Sequence, residues 1–264
     1  MKKNKLNSFE FLRKIYLDCK VKNPSQKRYL SEKFVIMNVL AKFITFMPAY
    51  FLVKLKVSPD FITLLSFFFI PAGSYLIINE HVVFGSLCWV CFALLDSLDG
   101  DMARLSKRKT FYGETLDSIG ADIFYFLSPS TIGLYLYFNK SNGEINYEHI
   151  LFAGFFVSFF IIFSRYIGSK RYILSLINPP KNKQFYKDKK IKDLKVLKSK
   201  FSFFDNEILR GNFFSEPGMI LNFFLIFCFS QFYILEIYLL ILFFYNLLAF
   251  MRQFISTVIY FIKI

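Results

Sequence analysis

The chain has 264 residues, of which 55% are hydrophobic, and its formal net charge is +14. Several apolar runs are about 20 residues long, the length at which a helix crosses a bilayer, so the composition excludes an ordinary soluble domain. The basic residues lie between these runs and are not interleaved with stacking aromatics, which excludes a nucleic-acid interface and indicates contact with anionic lipid headgroups. The sequence therefore predicts an all-α, polytopic helical bundle embedded in the lipid bilayer.

Residues 1–56 are predicted to form a basic cytoplasmic arm followed by an interfacial amphipathic helix. The first 30 residues are polar and basic. Residues 31–56 have Pro48 in mid-run and alternate apolar groups with four lysines, Lys33, Lys42, Lys54 and Lys56. This pattern is typical of a helix that lies along the membrane surface. An additional membrane span from 34 to 53 is the alternative.

The second predicted region, residues 57–264, consists of six transmembrane helices. The spans are expected at about 59–78, 82–105, 111–138, 148–176, 217–233 and 234–258. The first is expected to begin at Ser58-Pro59, because serine caps helix N-termini and proline is tolerated in the first turn. Lys and Arg are concentrated in two connections, 105–110 and 178–210, which the positive-inside rule places in the cytoplasm together with both termini.

Four aspartates interrupt the second and third predicted spans. Asp96 and Asp99 close the apolar run that begins near Val82, and Asp117 and Asp122 lie in the first half of the next run. An acidic residue near mid-membrane costs roughly 2.5–3.5 kcal/mol and is a functional candidate for that reason. Asp96 and Asp99 are three residues apart, so their side chains share one helix face.

A divalent metal is the predicted partner of these acids. Arg104 is the one cation in the helical part of the cluster, and it cannot neutralise four carboxylates. Oxygen-rich sites select hard divalent cations. Two ions about 4 Å apart would suit phosphoryl chemistry, because they stabilise both the attacking and the leaving oxygen. Gly100 and Gly113 open space beside the acids for a ligand.

The acids belong to a longer pattern, D-x2-D-G-x2-A-R at 96–104 followed, after eight residues, by G-x3-D at 113–117. It resembles the signature of the CDP-alcohol phosphotransferase family, D-x2-D-G-x2-A-R, then eight or nine residues, then G-x3-D-x3-D. The stretch 58–63, S-P-D-F-I-T, resembles the start of that family's first span, T-P-N-x-x-T. In layout the resemblance covers the whole chain.

The resemblance implies a membrane enzyme that transfers a phosphoalcohol from a CDP-linked donor to a hydroxyl acceptor and releases CMP. It implies a pair of Mg²⁺ or Mn²⁺ ions, with Asp96, Asp99 and Asp117 as their ligands. It also implies that Arg104 holds the donor phosphates. The small residues would leave room for the cytidine; they are Gly100, Ala103 and Gly113. Asp101 and Glu114, which flank the motif, are expected to be exposed at the rim of the cavity.

The sequence departs from the family where the last aspartate is expected. That aspartate is the general base of the family, and its position here is Ala121, with Asp122 one residue later. An ideal helix separates positions 117 and 121 by about 40° but positions 117 and 122 by about 140°. Asp122 is predicted to be the base through a one-residue π-bulge, which Gly120 would ease. The alternatives are Glu114 as base, or a family member with altered or lost activity.

Arg165, Lys170 and Arg171, near the cytoplasmic end of the fourth span, are the predicted ligands of a phosphorylated acceptor. The alternative is that they anchor the helix at the lipid headgroups. The expected reaction uses CDP-diacylglycerol and a polar alcohol; the alternative is a small CDP-aminoalcohol donor with diacylglycerol as the acceptor. A cation transporter is the rival from another class. The resemblance also implies a possible homodimer and an active site that faces the cytoplasm.

Overall fold

The structure, a computed structural model, describes residues 8–22, 29, 33–107, 110–140, 147–177, 207–229 and 232–262. These residues form ten α-helices and contain no strand. The helices are α1 (Ser8–Asp18), α2 (Ile36–Lys54), α3 (Pro59–Phe67), α4 (Phe69–Ile78), α5 (Val82–Ser106), α6 (Phe111–Lys140), α7 (Glu148–Ile177), α8 (Glu207–Phe213), α9 (Glu216–Cys228) and α10 (Phe232–Ile262). The all-α prediction is confirmed, and most of the basic stretch 178–210 lies outside the described residues.

Five helical segments of the described chain are long and apolar enough to cross a membrane. They are Ile36–Lys54, Pro59–Ile78, Val82–Ser106, Glu148–Lys170 and Tyr233–Ile259. Four of them coincide with predicted spans, and the fifth is α2, so the interfacial placement of α2 stays a prediction. The predicted third span is the 30-residue helix α6, which carries the acids. The predicted fifth span is the apolar but shorter α9, with 13 residues.

The first predicted span begins as expected and is broken near its middle. Ser58 Oγ accepts a hydrogen bond of 3.2 Å from the Phe61 N–H, which caps α3. The helix is interrupted at Phe68, three residues before Pro71. Because proline has no N–H, the carbonyl of Phe67 lacks its usual helical partner there. The span therefore consists of two short helices, α3 and α4.

The described residues divide into two compact units, one within 1–124 and 211–230, the other within 125–210 and 231–264. In the first unit α5 packs against α2, α3, α4 and α9. Buried Trp89 on α5 donates its indole N–H to the Ile70 carbonyl at 3.2 Å. Its ring lies against Phe124 and Phe223. The motif-bearing helix is thus the centre of this unit.

Close backbone contact fixes α5 against α4. A Cβ on Gly73 would lie 2.7 Å from the Gly85 carbonyl oxygen, and a Cβ on Gly85 would lie 2.6 Å from the Gly73 carbonyl oxygen. Neither position can hold a side chain without moving a helix. Small residues at such crossings are typical of helices packed in membranes.

The second unit consists of the later part of α6 with α7 and α10. Gly133 and Gly154 approach closely, and the hydroxyls of Ser130 and Ser158 hydrogen-bond at 2.9 Å, which joins α6 to α7. Contacts between aromatic rings join α7 to α10. Gln253 Nε2 also donates a hydrogen bond of 2.7 Å to the Ser164 carbonyl. Close helix packing, aromatic contacts and these hydrogen bonds hold the described part of this unit together.

Candidate active site

Three carboxylates converge in the first unit where α5 and α6 approach. One carboxylate oxygen from each of Asp96, Asp99 and Asp117 lies within 4.8 Å of the others. Asp99 is buried, Asp96 is half-buried and Asp117 is exposed, so the cluster opens toward one side. The structure therefore brings together the three acids that the sequence analysis singled out as metal ligands; their ligation of a metal stays a prediction.

Helix α3 supports this acid cluster from a third side. The hydroxyl of Thr63 donates a hydrogen bond to Asp99 Oδ2, and Thr63 is itself buried. A hydroxyl donor orients a carboxylate without cancelling its charge. Thr63 belongs to the S-P-D-F-I-T stretch, so the sequence analysis predicted that it lies near the start of the first span. Its contact with Asp99 was not predicted.

The start of α6 is built around Thr110. Its hydroxyl oxygen accepts a hydrogen bond of 3.0 Å from the Gly113 N–H, an N-cap contact, and donates one of 3.3 Å to Asp60 Oδ1. The Asp60 oxygen lies 3.0 Å from the place that a Cβ on Gly113 would occupy. Gly113 therefore lacks a side chain where α3 approaches α6 closely, and the packing of these two helices alone favours glycine at this position.

The acid cluster fits a divalent cation. Within the described part of the chain, no Lys or Arg side chain forms an ion pair with Asp96, Asp99 or Asp117. Three ionised carboxylates so close together repel one another unless a positive charge joins them. Carboxylate oxygens in this number are suitable ligands for Mg²⁺ or Mn²⁺.

Arg104 makes contacts that the sequence analysis did not anticipate. Its guanidinium pairs with the Asp101 carboxylate, and its Nε donates a 2.6 Å hydrogen bond to the Cys19 carbonyl. A Cβ on Gly100 would lie 3.3 Å from Arg104 Nη2 and 3.4 Å from Nη1. The glycine thus leaves room for the arginine side chain of its own motif. Contact between Arg104 and donor phosphates stays a prediction.

The expected exposure of Asp101 is wrong. Its side chain is fully buried, pairs with both Lys42 and Arg104, and accepts a 2.7 Å hydrogen bond from Thr45 Oγ1. Lys42 and Thr45 lie on α2, 59 and 56 residues away in sequence. Sequence analysis missed this network because its partners come from a distant helix. A weak signal existed, since Lys42 and Thr45 are polar residues on one face of an apolar run. Glu114 is exposed, as expected.

Asp122 is half-buried on α6 and is not one of the three clustered acids. The described helix is α-helical at every residue from Phe111 to Lys140, so the π-bulge that was expected to turn Asp122 toward the cluster is not present. Its role as general base stays a prediction. Ala103, one of the small residues of the motif, is half-buried on α5.

The three predicted acceptor ligands lie on α7, in the second unit. The guanidinium of Arg165 lies 5.4 Å from the centre of the Tyr125 ring, and the Lys170 ammonium lies 5.4 Å from that of Tyr166. The side chain of Arg171 is outside the described residues. Cation–π contact of this kind is compatible with either predicted role, and acceptor binding stays a prediction.

Comparison with known proteins bears on the same region. The sequence model of a family described as CDP-alcohol phosphatidyltransferase matches residues 56–189, just over half of the chain. This range includes all three clustered acids. A segment of 65 residues is 40% identical to an uncharacterized protein of Aquifex aeolicus (strain VF5). That segment is 25% of this chain, and the match spans only 33% of the relative's length.

Proposed function

Because the chain belongs to the CDP-alcohol phosphatidyltransferase family, we propose that it transfers a phosphatidyl group from CDP-diacylglycerol to the hydroxyl of a polar alcohol and releases CMP. The family supports transfer of a phosphoalcohol from a CDP-alcohol. The identity of that alcohol, diacylglycerol, is our proposal and goes beyond what family membership supports. The product would be a membrane phospholipid.

The observation that carries the proposal is the cluster of Asp96, Asp99 and Asp117, with carboxylate oxygens within 4.8 Å. These residues would hold a pair of Mg²⁺ or Mn²⁺ ions. When bound, such ions supply positive charge that stabilises the charge developing on a diphosphate as its P–O bond breaks. The Thr63 hydroxyl would keep Asp99 oriented toward them.

In the proposed reaction the acceptor oxygen forms a bond to the phosphatidyl phosphorus. The bond from that phosphorus to the CMP oxygen breaks, and CMP leaves with the electron pair. The acceptor proton passes to a carboxylate of α6. Asp122 is the proposed base, and Glu114 is the alternative, because a regular helix turns position 122 about 140° away from Asp117 but position 114 only about 60°. A half-buried acid on the helix that carries Asp117 could exchange this proton with water between turnovers.

The proposed setting is a membrane, with several spans and the catalytic side in the cytoplasm. Five apolar helical segments support an integral membrane protein. The orientation rests on the positive-inside distribution of Lys and Arg. Lys170 and Arg171, with Arg165, would bind an acceptor phosphate on that side. A homodimer is a further expectation from the resemblance.

The proposal is tested by CMP release from the purified protein in nanodiscs with CDP-diacylglycerol, Mg²⁺ or Mn²⁺, and a panel of alcohols. The panel contains glycerol 3-phosphate, inositol phosphate and serine. We expect CMP with one acceptor and loss of CMP on chelation. CMP from a CDP-aminoalcohol with diacylglycerol, but not from CDP-diacylglycerol, would reverse the donor and acceptor roles. Metal-dependent ion flux without any CMP release would favour a transporter.

The base is tested separately. Asp122→Asn is expected to lower the rate of CMP release by about 10²-fold or more, the usual worth of a general base. Metal-dependent CDP binding should be retained, because Asp122 is not among the clustered acids. Glu114→Gln is the matched control on the same helix. A larger loss in Glu114→Gln than in Asp122→Asn would assign the base to Glu114.

A further inference from the structure

A closed polar ring links the motif helix to the N-terminal part of the chain. Asp101 accepts hydrogen bonds from both Lys42 and Arg104. The Cys19 carbonyl also accepts from both, at 3.3 Å from Lys42 Nζ and 2.6 Å from Arg104 Nε. Each cation therefore joins the same two acceptors. Three separate segments, α1, α2 and α5, meet in this ring.

The position of the Cys19 carbonyl explains why cations bind it. Cys19 follows the last residue of α1, and its N–H still donates to the Ile15 carbonyl at 3.0 Å. The last carbonyls of a helix have no helical partner and carry partial negative charge, which attracts cations. Lys42 and Arg104 thus satisfy the end of α1 in the same way that they satisfy Asp101.

Apolar packing holds α1 in this place. Ile15 and Cys19 are buried, and the Tyr16 ring lies against Phe43 and Phe46 of α2 at 5.9 and 5.7 Å. The Phe11 ring meets Tyr50 at 5.5 Å. One face of α1 is therefore buried against α2, and the segment is more than a basic arm that follows the membrane surface.

The exposure of the two cations favours an anion at Arg104. Both cations pair with Asp101, and the charge of Arg104 also acts on Asp117 of the acid cluster. Lys42 and Asp101 are almost closed to solvent, with side chains 11% and 0% exposed, whereas Arg104 is 20% exposed. Arg104 is thus the more exposed of the two cations, so its guanidinium is the one that a donor phosphate can reach. Gly100 gives the guanidinium room to lie along α5 beside the acid cluster.

We propose that Asp101 and Lys42 are positioning residues that fix Arg104 for the anionic CDP-linked donor, and that the same ring makes the segment 8–19 a structural part of the active site. The identity of the anion in this inference rests on the proposed function. The docking of α1 is independent of the proposed function and can be measured without turnover.

Docking is measured through Cys19 in the full chain with Cys88, Cys91 and Cys228 replaced by Ala. The Cys19 thiol is buried, and its pKa is raised to about 12 by burial and by Asp101, so alkylation by N-ethylmaleimide should be slow. Lys42→Met and Asp101→Asn are each expected to raise the labelling rate at least tenfold. Lys54→Met, the same change on an exposed residue of α2, should leave it unchanged. Labelling as slow in Lys42→Met and Asp101→Asn as in the wild type would refute the role of the ring in docking α1, and fast labelling in the wild type would refute the docking itself.

Positioning is measured as CDP affinity with Mg²⁺ by titration calorimetry. We expect Asp101→Asn and Lys42→Met to weaken CDP binding about tenfold, and Lys42→Arg to restore it. In an Arg104→Ala background, Asp101→Asn should weaken CDP binding no further, because the residue acts through Arg104. Independent, multiplying effects of the two changes would refute positioning. The Lys42 variants keep this comparison available if Asp101→Asn does not fold.

CMP release measured on the same preparations separates this inference from the proposed reaction. One outcome is a chain that releases no CMP, although its ring variants label Cys19 faster and Asp101→Asn does not weaken CDP binding further in the Arg104→Ala background. That outcome would support the ring and refute the reaction. Normal CMP release from wild type, with unchanged labelling in the ring variants, would refute the ring and leave the reaction intact.

Discussion

Asp99 and Asp101 lie two residues apart on α5 and are both buried, yet their surroundings are opposite. Asp99 accepts a hydroxyl from Thr63 and faces two other carboxylates. Asp101 pairs with Lys42 and Arg104 and accepts a hydroxyl from Thr45. Asp99 lies among carboxylates with which no described Lys or Arg side chain forms an ion pair, whereas Asp101 is paired within the chain itself. Burial alone therefore does not distinguish an acid proposed to bind a metal from a structural acid; the charges around it do.

The largest difference is expected in turnover. Asp99→Asn, and equally Asp96→Asn or Asp117→Asn, should lower CMP release by on the order of 10³-fold or more, because loss of a charged metal ligand removes several kcal/mol of transition-state stabilisation. Glu80→Gln, an exposed acid at a helix connection, is the charge-matched control and should keep full activity. Near wild-type CMP release in any of the three would refute their assignment as metal ligands.

Stability should show the reverse order. Asp101→Asn leaves Lys42 and Arg104, both partly buried, without their shared carboxylate. Removing one partner from a buried ion pair costs up to about 3–5 kcal/mol, so a loss of about 2–3 kcal/mol is expected here. Asp99→Asn should leave stability unchanged or raise it, because it removes a repulsive charge. Chemical or thermal unfolding in detergent, followed by intrinsic fluorescence, measures both. If the Asp99→Asn and Asp101→Asn proteins have the same unfolding free energy, the proposed difference between the two acids is refuted.

Metal binding gives a third difference. Mg²⁺ at about 100 times its Kd should stabilise the wild-type protein by about 2.7 kcal/mol, because the ion binds the folded state alone. The shift in Tm should vanish in Asp99→Asn and persist in Asp101→Asn, measured relative to each variant without metal. A metal-induced shift that survives all three triad variants would place the ion elsewhere.

The smallest effect is expected at Gly100. In Gly100→Ala the new Cβ would lie 3.3 Å from Arg104 Nη2, so the flexible guanidinium must shift by a few tenths of an ångström. A strained rotamer costs about 0.5–1.5 kcal/mol, which corresponds to at most about a tenfold weaker binding of CDP. Calorimetric titration with CDP measures it. A complete loss of binding would instead support direct contact between Gly100 and the nucleotide, as the resemblance implies.

The helical framework was largely predictable. Apolar runs of sufficient length predicted the positions of the spans, and Ser58-Pro59 predicted where α3 begins, since capping and proline geometry are local effects. Helix spacing alone predicted that Asp96 and Asp99 share a face, and the family resemblance added Asp117 from the next helix. The break at Phe68 was not anticipated, although Pro71 is its visible cause. The expected π-bulge near Asp122 was wrong, since α6 stays α-helical there.

The sequence by itself determined that the long apolar segments are helices and that Asp96 and Asp99 share a face, because both depend on residue spacing within one helix. It did not predict helix α1 in the basic arm. Only the tertiary structure decided what surrounds each acid. Asp101 has an acidic side chain like Asp99, but Lys42 and Thr45 reach it from α2, and the end of α1 completes the ring. An ion pair between distant segments depends on how the helices pack. That packing follows from the sum of many weak contacts, and residue spacing does not encode it.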